Sequence, residues 1–235
     1  IHDDFNAGAF ALLAEELIHQ LFKTKDFLVL CGGSGLYIKA LLNGFDEMPD
    51  VPKETRQSVI TEYGEKGLEW LQKAVMEADP EFYYPSDKLN PQRLIRALEV
   101  FRASGKPFSS FKSASKKSLP FHVIKIGLEL DRPALYARID KRMDDMIASG
   151  LFDEADSLYP LRHLNALQTV GYQEIFDFID GKHGREEAIR LLKRNSRRYA
   201  KRQFTWFKND KEINWFHPDD FGNVVNFILE KSAIL

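Results

Sequence analysis

Phe27-Leu-Val-Leu-Cys-Gly-Gly-Ser-Gly-Leu-Tyr-Ile-Lys-Ala-Leu-Leu42 is the stretch whose reading decides the fold. Residues 27–30 are a short apolar run of the kind that forms a buried strand, and residues 36–42 carry helical spacing closed by Gly44. Between them lies Gly32-Gly-Ser-Gly35. Strand, glycine turn and helix make the repeating unit of a parallel α/β sheet, whose ligands sit at the carboxyl ends of its strands. The turn falls at such an end. Its backbone N–H groups, at a helix start, suit an anion, and Ser34 adds a hydroxyl. Glycine turns are common between strands and helices, so taken alone the turn leaves a purely structural role open.

Working outward, residues 6–22 carry an apolar helical pattern, and residues 46–115 turn to charged helical segments with little strand signal. β character returns at 121–130, centred on 123–126. Asp131 fits the N-cap of a helix with Pro133 in its first turn and Gly150 at its end. Further helices are expected at 151–159, 171–180 and 185–207. Residues 111–118, rich in Ser and Lys, read as a mobile linker.

With 235 residues, 44% of them hydrophobic, the chain is long enough to bury a substantial core. The single cysteine, Cys31, excludes an internal disulfide and a cysteine-rich zinc site, and fits a cytoplasmic home. The six histidines lack the close pairing of a metal site. No apolar run approaches a membrane span and no signal peptide is visible. The chain opens on Ile1 rather than Met, which leads us to expect a longer parent.

Four segments carry candidate chemistry. From Arg190 to Lys208 there are eight Lys or Arg and no Asp or Glu, in a chain of formal net charge -2. Such clustering points to a phosphate-rich partner, or to the solvated face of an ordinary amphipathic helix. Arg190, Arg194, Arg197 and Lys201 recur at helical spacing, with Leu192, Tyr199, Trp206 and Phe207 expected on the core side. Asn90-Pro91 opens a helix that gathers Gln92, Arg93 and Arg96 at its start, where cations oppose the macrodipole and need an anionic ligand or acidic neighbours. Arg142 falls at the edge of an apolar stripe of Leu135, Ile139, Met143 and Met146. Beside a core seam it must pair with a phosphate or with one of Asp140, Asp144 and Asp145. Finally, Gln168-Thr-Val-Gly-Tyr-Gln-Glu174 is a polar helix entry in which Gly171 permits close backbone approach and Tyr172 can stack or hydrogen-bond. No Ser-His-Asp, Cys-His or paired-carboxylate arrangement emerges.

In order and spacing, Gly32-Gly-Ser-Gly-Leu-Tyr-Ile-Lys-Ala-Leu-Leu42, Pro91-Gln-Arg-Leu-Ile-Arg-Ala-Leu-Glu-Val100, Ser104-Gly-Lys-Pro107, Arg138-Ile-Asp-Lys-Arg142, Thr169-Val-Gly-Tyr172 and Ala200-Lys-Arg-Gln-Phe-Thr-Trp206 resemble the tRNA dimethylallyltransferase (tRNA isopentenyltransferase) family over nearly the whole chain. The resemblance implies an α/β fold: a P-loop-type parallel-sheet core from 1–46 and 117–235, with an inserted helical domain, 47–116, that contacts tRNA. It implies transfer of a dimethylallyl group from dimethylallyl diphosphate to N6 of the adenosine beside the anticodon.

Carried over residue by residue, Ser34 stands where the family has a tRNA-contacting threonine, and Arg56 at another tRNA contact. Gln92, Arg93, Leu94, Ile95 and Arg96 match one further tRNA-contacting segment, and Gln168, Thr169, Val170, Gly171, Tyr172 and Gln173 a second. Arg142 matches the arginine on the donor's diphosphate, with Gly32, Gly33, Gly35, Arg197 and Arg202 in the phosphate or donor vicinity. The family's amino-terminal phosphate loop and general base have no counterpart here and are expected upstream of Ile1, so the chain as given is expected to be inactive. The resemblance also implies Mg²⁺, the tRNA anticodon arm as partner, a monomer, no membrane and a cytoplasmic setting. A non-catalytic RNA-binding module and a P-loop nucleotide kinase are the competing readings.

Overall fold

The computed structural model describes residues 1–2, 5–44, 46, 48–112 and 117–233. In chain order these form helices α1 (Ala7–Leu21), α2 (Gly35–Asn43), α3 (Lys53–Ala78), α4 (Pro80–Tyr83) and α5 (Pro91–Ser104), strand β1 (Ile126–Leu128), helices α6 (Arg132–Ala148), α7 (Leu151–Leu158), α8 (Tyr172–Ile179) and α9 (Arg185–Lys208), strand β2 (Asn214–Phe216) and helix α10 (Phe221–Ala233). They divide into two compact units, Ile1–Leu42 with Leu119–Leu235, and Asn43–Ser118. The architecture is a mostly helical α/β one with a small parallel sheet.

Helix ends follow local chemistry. The Asn6 side chain accepts from the N–H groups of Gly8 and Ala9 at 2.9 and 3.0 Å, Asn90 from that of Arg93 at 3.4 Å, and Asp131 from that of Ala134 at 3.2 Å. Each satisfies donors that a helix start leaves without intrahelical partners. Gly150, at φ 99°, ends the α6 turn where a side chain would be strained.

The sheet departs from expectation. Residues 27–30 are not a strand: they run without ladder partners among the described residues, and Val29 is 92% exposed. An apolar run becomes a strand only where a neighbour supplies hydrogen bonds, and none of the described residues does so here. β1 lies at the carboxyl side of the expected 123–126 centre, because its register is set by β2, a strand the sequence reading did not foresee. Ile126, Gly127 and Leu128 pair in parallel with Asn214, Trp215 and Phe216. Gly127 is required: a Cβ there would come within 2.6 Å of the Trp215 ring. Lys125 fixes the register from outside, donating to Asp210 at 2.8 Å and Glu212 at 2.7 Å. Burial alone would lower its pKa, but the two carboxylates outweigh that and raise it.

In the larger unit one core cluster joins α6–α9 around Met143, Phe152, Ile175, Phe176 and Leu192, while Ala7, Ala11, Ala40 and Leu41 pack α1 on α2. Leu192 is fully buried, so its truncation to Ala should cost about 2–5 kcal/mol. The smaller unit has its own core, where Val59, Leu71 and Val75 of α3 meet Leu94, Ile95 and Leu98 of α5. Gly67, at φ 77°, breaks α3 in the middle. Half of the expected linker 111–118, residues 113–116, lies outside the described residues. No described helix is long and apolar enough to cross a membrane.

Candidate nucleic-acid interface

The basic run becomes α9, but its cations do not share one fate. On one side, Arg197 donates to Asp140 of α6 at 2.7 Å, Lys193 pairs with Asp144 at 2.6 Å, and Arg190 pairs with Glu187 one turn back. The guanidinium holds Glu187 below the usual carboxylate range. Arg194 bonds the Asn195 side chain at 3.2 Å. On the other side, Arg198, Lys201 and Arg202 have no carboxylate within 4 Å among the described residues. With Thr205, Trp206 and Asn209 they line an open groove of about 510 Å³.

Two expectations change here. Arg197 is committed to Asp140, so it belongs to the helix–helix seam rather than to a free phosphate site. Tyr199 and Trp206 are not core-facing: they are 43% and 45% exposed, and the Arg202 guanidinium lies 5.6 Å from the centre of the Tyr199 ring. Cations interleaved with exposed rings suit a nucleic acid, because rings stack on bases while cations take phosphates.

The same end of α9 meets the glycine turn. The Gln203 amide donates to the Gly33 carbonyl at 2.7 Å, and a Cβ on Gly33 would press within 2.5 Å of that amide. A Cβ on Gly35 would overlap the Trp206 indole. Gly35 is therefore fixed by close approach of α9, whereas the amide at Gly33 is the end of a flexible side chain that can move aside and Gly32 has open space around it. Ser34 is exposed, and its carbonyl accepts the first α2 bond, from the Ile38 N–H at 3.1 Å. Trp206 thus belongs both to the cationic groove and to the turn.

Arg142 is exposed, not wedged at a buried seam, so burial does not force a partner on it. The acids that competed for it are taken: Asp140 by Arg197, Asp144 by Lys193 and Asp145 by Lys141. No carboxylate lies within 4 Å of Arg142 among the described residues.

The segment Gln168–Gln173 is a tied entry to α8. Gly171 sits at φ 115° and has open space where a Cβ would be, so conformation, not close approach, requires glycine. Glu174, only 5% exposed, accepts from the Gly171 N–H at 2.8 Å and from the Asn195 side chain at 2.7 Å, linking this turn to α9. The sequence reading counts it among the polar residues of the helix entry without giving it a role, although a Glu three residues into a helix is a capping signal. Tyr172 both stacks and bonds, its ring parallel to Phe176 and its hydroxyl donating to Glu154 at 2.5 Å, which raises its pKa. The Gln168 amide donates to the Arg162 carbonyl, while Thr169 is exposed and Val170 and Gln173 are half-buried.

In the smaller unit, Gln92 and Arg93 are exposed at the start of α5, but Leu94 and Ile95 are buried in the core. Their side chains therefore hold α5 in place instead of meeting a ligand. Arg96 donates to Glu99 at 2.6 Å, and Arg56 of α3 lies 3.9 Å from the same oxygen.

Among the described residues no three His, Cys, Asp or Glu gather to hold a metal ion, and the side chains around the glycine turn are amide, aromatic and cationic. These residues do not fit a protein-held Mg²⁺.

Comparison with known proteins places this geometry. The IPP transferase family model matches residues 1–210. The tRNA dimethylallyltransferase of Cytophaga hutchinsonii is 51% identical over 231 residues, 98% of this chain and 76% of that protein. The tRNA dimethylallyltransferase of Christiangramia forsetii is 47% identical over 98% of this chain and 77% of its own length. The crystal structure of the full-length tRNA isopentenylpyrophosphate transferase from Bacillus halodurans superposes with a TM-score of 0.66 at 34% identity, covering 97% of this chain and 74% of that one. A matching model over most of the chain and relatives this similar leave one assignment: the chain belongs to the IPP transferase family.

Proposed function

We propose that this protein transfers the dimethylallyl group of dimethylallyl diphosphate to N6 of the adenosine beside the anticodon of tRNA, acting as a cytoplasmic monomer. The proposal gives the sheet to a P-loop-type core and gives residues 47–116 the role of a helical tRNA-contacting domain. The observation that carries it is the carboxylate-free groove of Arg198, Lys201, Arg202 and Trp206, built against the glycine turn. Family membership favours this reading over an RNA-binding module or a nucleotide kinase.

In this reading the tRNA backbone meets the unpaired cations of α9 and the Gln168–Gln173 turn in the larger unit, with Ser34 offering its hydroxyl at the glycine turn, and Arg56, Gln92, Arg93 and Arg96 are the tRNA contacts of the smaller unit. The adenine must leave its stack to reach the donor, at about a few kcal/mol, and the phosphate contacts stabilise that posture. N6 then bonds the allylic carbon, the carbon–oxygen bond breaks, and the electron pair departs with diphosphate. The N6 proton goes to a base for which no residue of this chain is proposed. In this reading Arg142, which has no carboxylate within 4 Å among the described residues, balances the charge that builds on the leaving group. Mg²⁺ is proposed only as a companion carried on the diphosphate oxygens.

The test is incubation of the full-length natural protein with tRNA and labelled dimethylallyl diphosphate. Label in tRNA supports the proposal; tRNA binding without transfer would replace it with the binding module.

A further inference from the structure

Glu99 is out of character for its place. It is 1% exposed in the interior of the smaller unit, in the second half of α5, whose exposed residues are Gln92, Arg93 and Arg102. Charged residues are seldom fully buried unless paired. One carboxylate oxygen, Oε1, accepts from Arg96 at 2.6 Å and lies 3.9 Å from the Arg56 guanidinium. The other, Oε2, is buried with no hydrogen-bond partner among the described residues. A neutral core residue would avoid both the desolvation and the orphaned oxygen, so stability alone does not account for a carboxylate here.

Its two partners explain more. The Arg56 and Arg96 side chains are 57% and 42% exposed, so their guanidiniums are anchored from beneath and open above. They come from different helices, α3 and α5, and like charges this close would drift apart without an anion between them. One buried negative charge beneath two positive ones leaves a net positive pair facing outward. That is the arrangement that takes one phosphate with two guanidiniums at once.

We propose that Glu99 is a positioning residue: it never touches RNA, but holds Arg56 and Arg96 together as a clamp for one backbone phosphate of the tRNA. This rests on the tRNA-transferase reading above. Glu99 should therefore act on tRNA capture and not on the transfer step.

The test measures tRNA affinity and steady-state transfer in the full-length protein for Arg56→Ala, Arg96→Ala, Glu99→Gln, the Arg56→Ala/Arg96→Ala double variant and the triple variant that adds Glu99→Gln. Each arginine variant should weaken tRNA binding and lower the salt dependence of log Kd by about one. Glu99→Gln should raise KM for tRNA about tenfold with kcat within about twofold, and add no further loss in the double-arginine background. A Glu99→Gln loss of equal size in that background, or a fall in kcat without a rise in KM, overturns the positioning role. Normal tRNA binding by both arginine variants would instead reject the tRNA-contact reading, and the clamp with it. If Glu99→Gln alone fails to fold, the triple variant, which removes the buried charge and both partners together, carries the same comparison against the double.

Discussion

The two sides of α9 use the same residue types for different ends. Toward α6, Lys193 and Arg197 meet Asp144 and Asp140, and their charge closes a seam between helices. Toward the glycine turn, Arg198, Lys201 and Arg202 meet no carboxylate among the described residues, and exposed rings stand among them. Arg142 on α6 belongs with the second set, because its neighbouring acids are already engaged. The difference teaches that a basic run states how much charge a segment carries, while pairing decides how much is left for a ligand.

That division can be broken most severely at Arg142. Arg142→Ala should lower kcat by about 10²–10³ while leaving tRNA affinity within about twofold, since an arginine that meets only the departing diphosphate acts in the transition state. Single-turnover transfer beside a tRNA binding curve checks this; equal losses in both would move Arg142 to general tRNA binding. The seam side should respond in stability instead. Arg197→Ala leaves Asp140 without its partner and should destabilise by about 1–2 kcal/mol in urea unfolding, with tRNA affinity unchanged. Gly171→Ala places a side chain at φ 115° and should cost a similar amount, about 1–2 kcal/mol, read in the same unfolding experiment.

The smallest expected effect is a pH dependence in the smaller unit, where Arg102 and Lys66 donate to Glu62 and lower its pKa from 4.5 to about 2. A carboxyl depressed on folding contributes stability fully above its unfolded value. That contribution should fade as pH falls from about 4.5 toward 2, and Glu62→Gln should flatten the profile in that window. The pair is partly exposed, so less than about 1 kcal/mol is expected, and an unchanged profile would assign the acid sensitivity elsewhere.

What the sequence disclosed and what it withheld divide along the range of the forces involved. Asn90, Asp131 and Gly150 mark helix ends through bonds to residues three or four positions away, so their reading needed no tertiary structure. Residues 27–30 and β2 depend on partners far along the chain, and both were misjudged. The α9 cations were visible as a count, but the pairing of Arg197 with Asp140, 57 positions away, was not. Tyr199 and Trp206 looked like core because aromatic rings at helical spacing usually are. Glu99 and Glu174 were given no role because a charged letter in a sequence reads as surface until packing buries it.

The central claim is that, among the cations of α9, the unpaired ones and not the paired ones hold the tRNA backbone, and the salt dependence of tRNA binding tests it most directly. Replacing Arg198, Lys201 and Arg202 by Ala should reduce the slope of log Kd against log salt by about three, while replacing Lys193 and Arg197 by Ala should leave the slope unchanged. Slopes that fall in proportion to the number of cations removed, whichever side they come from, would contradict the account.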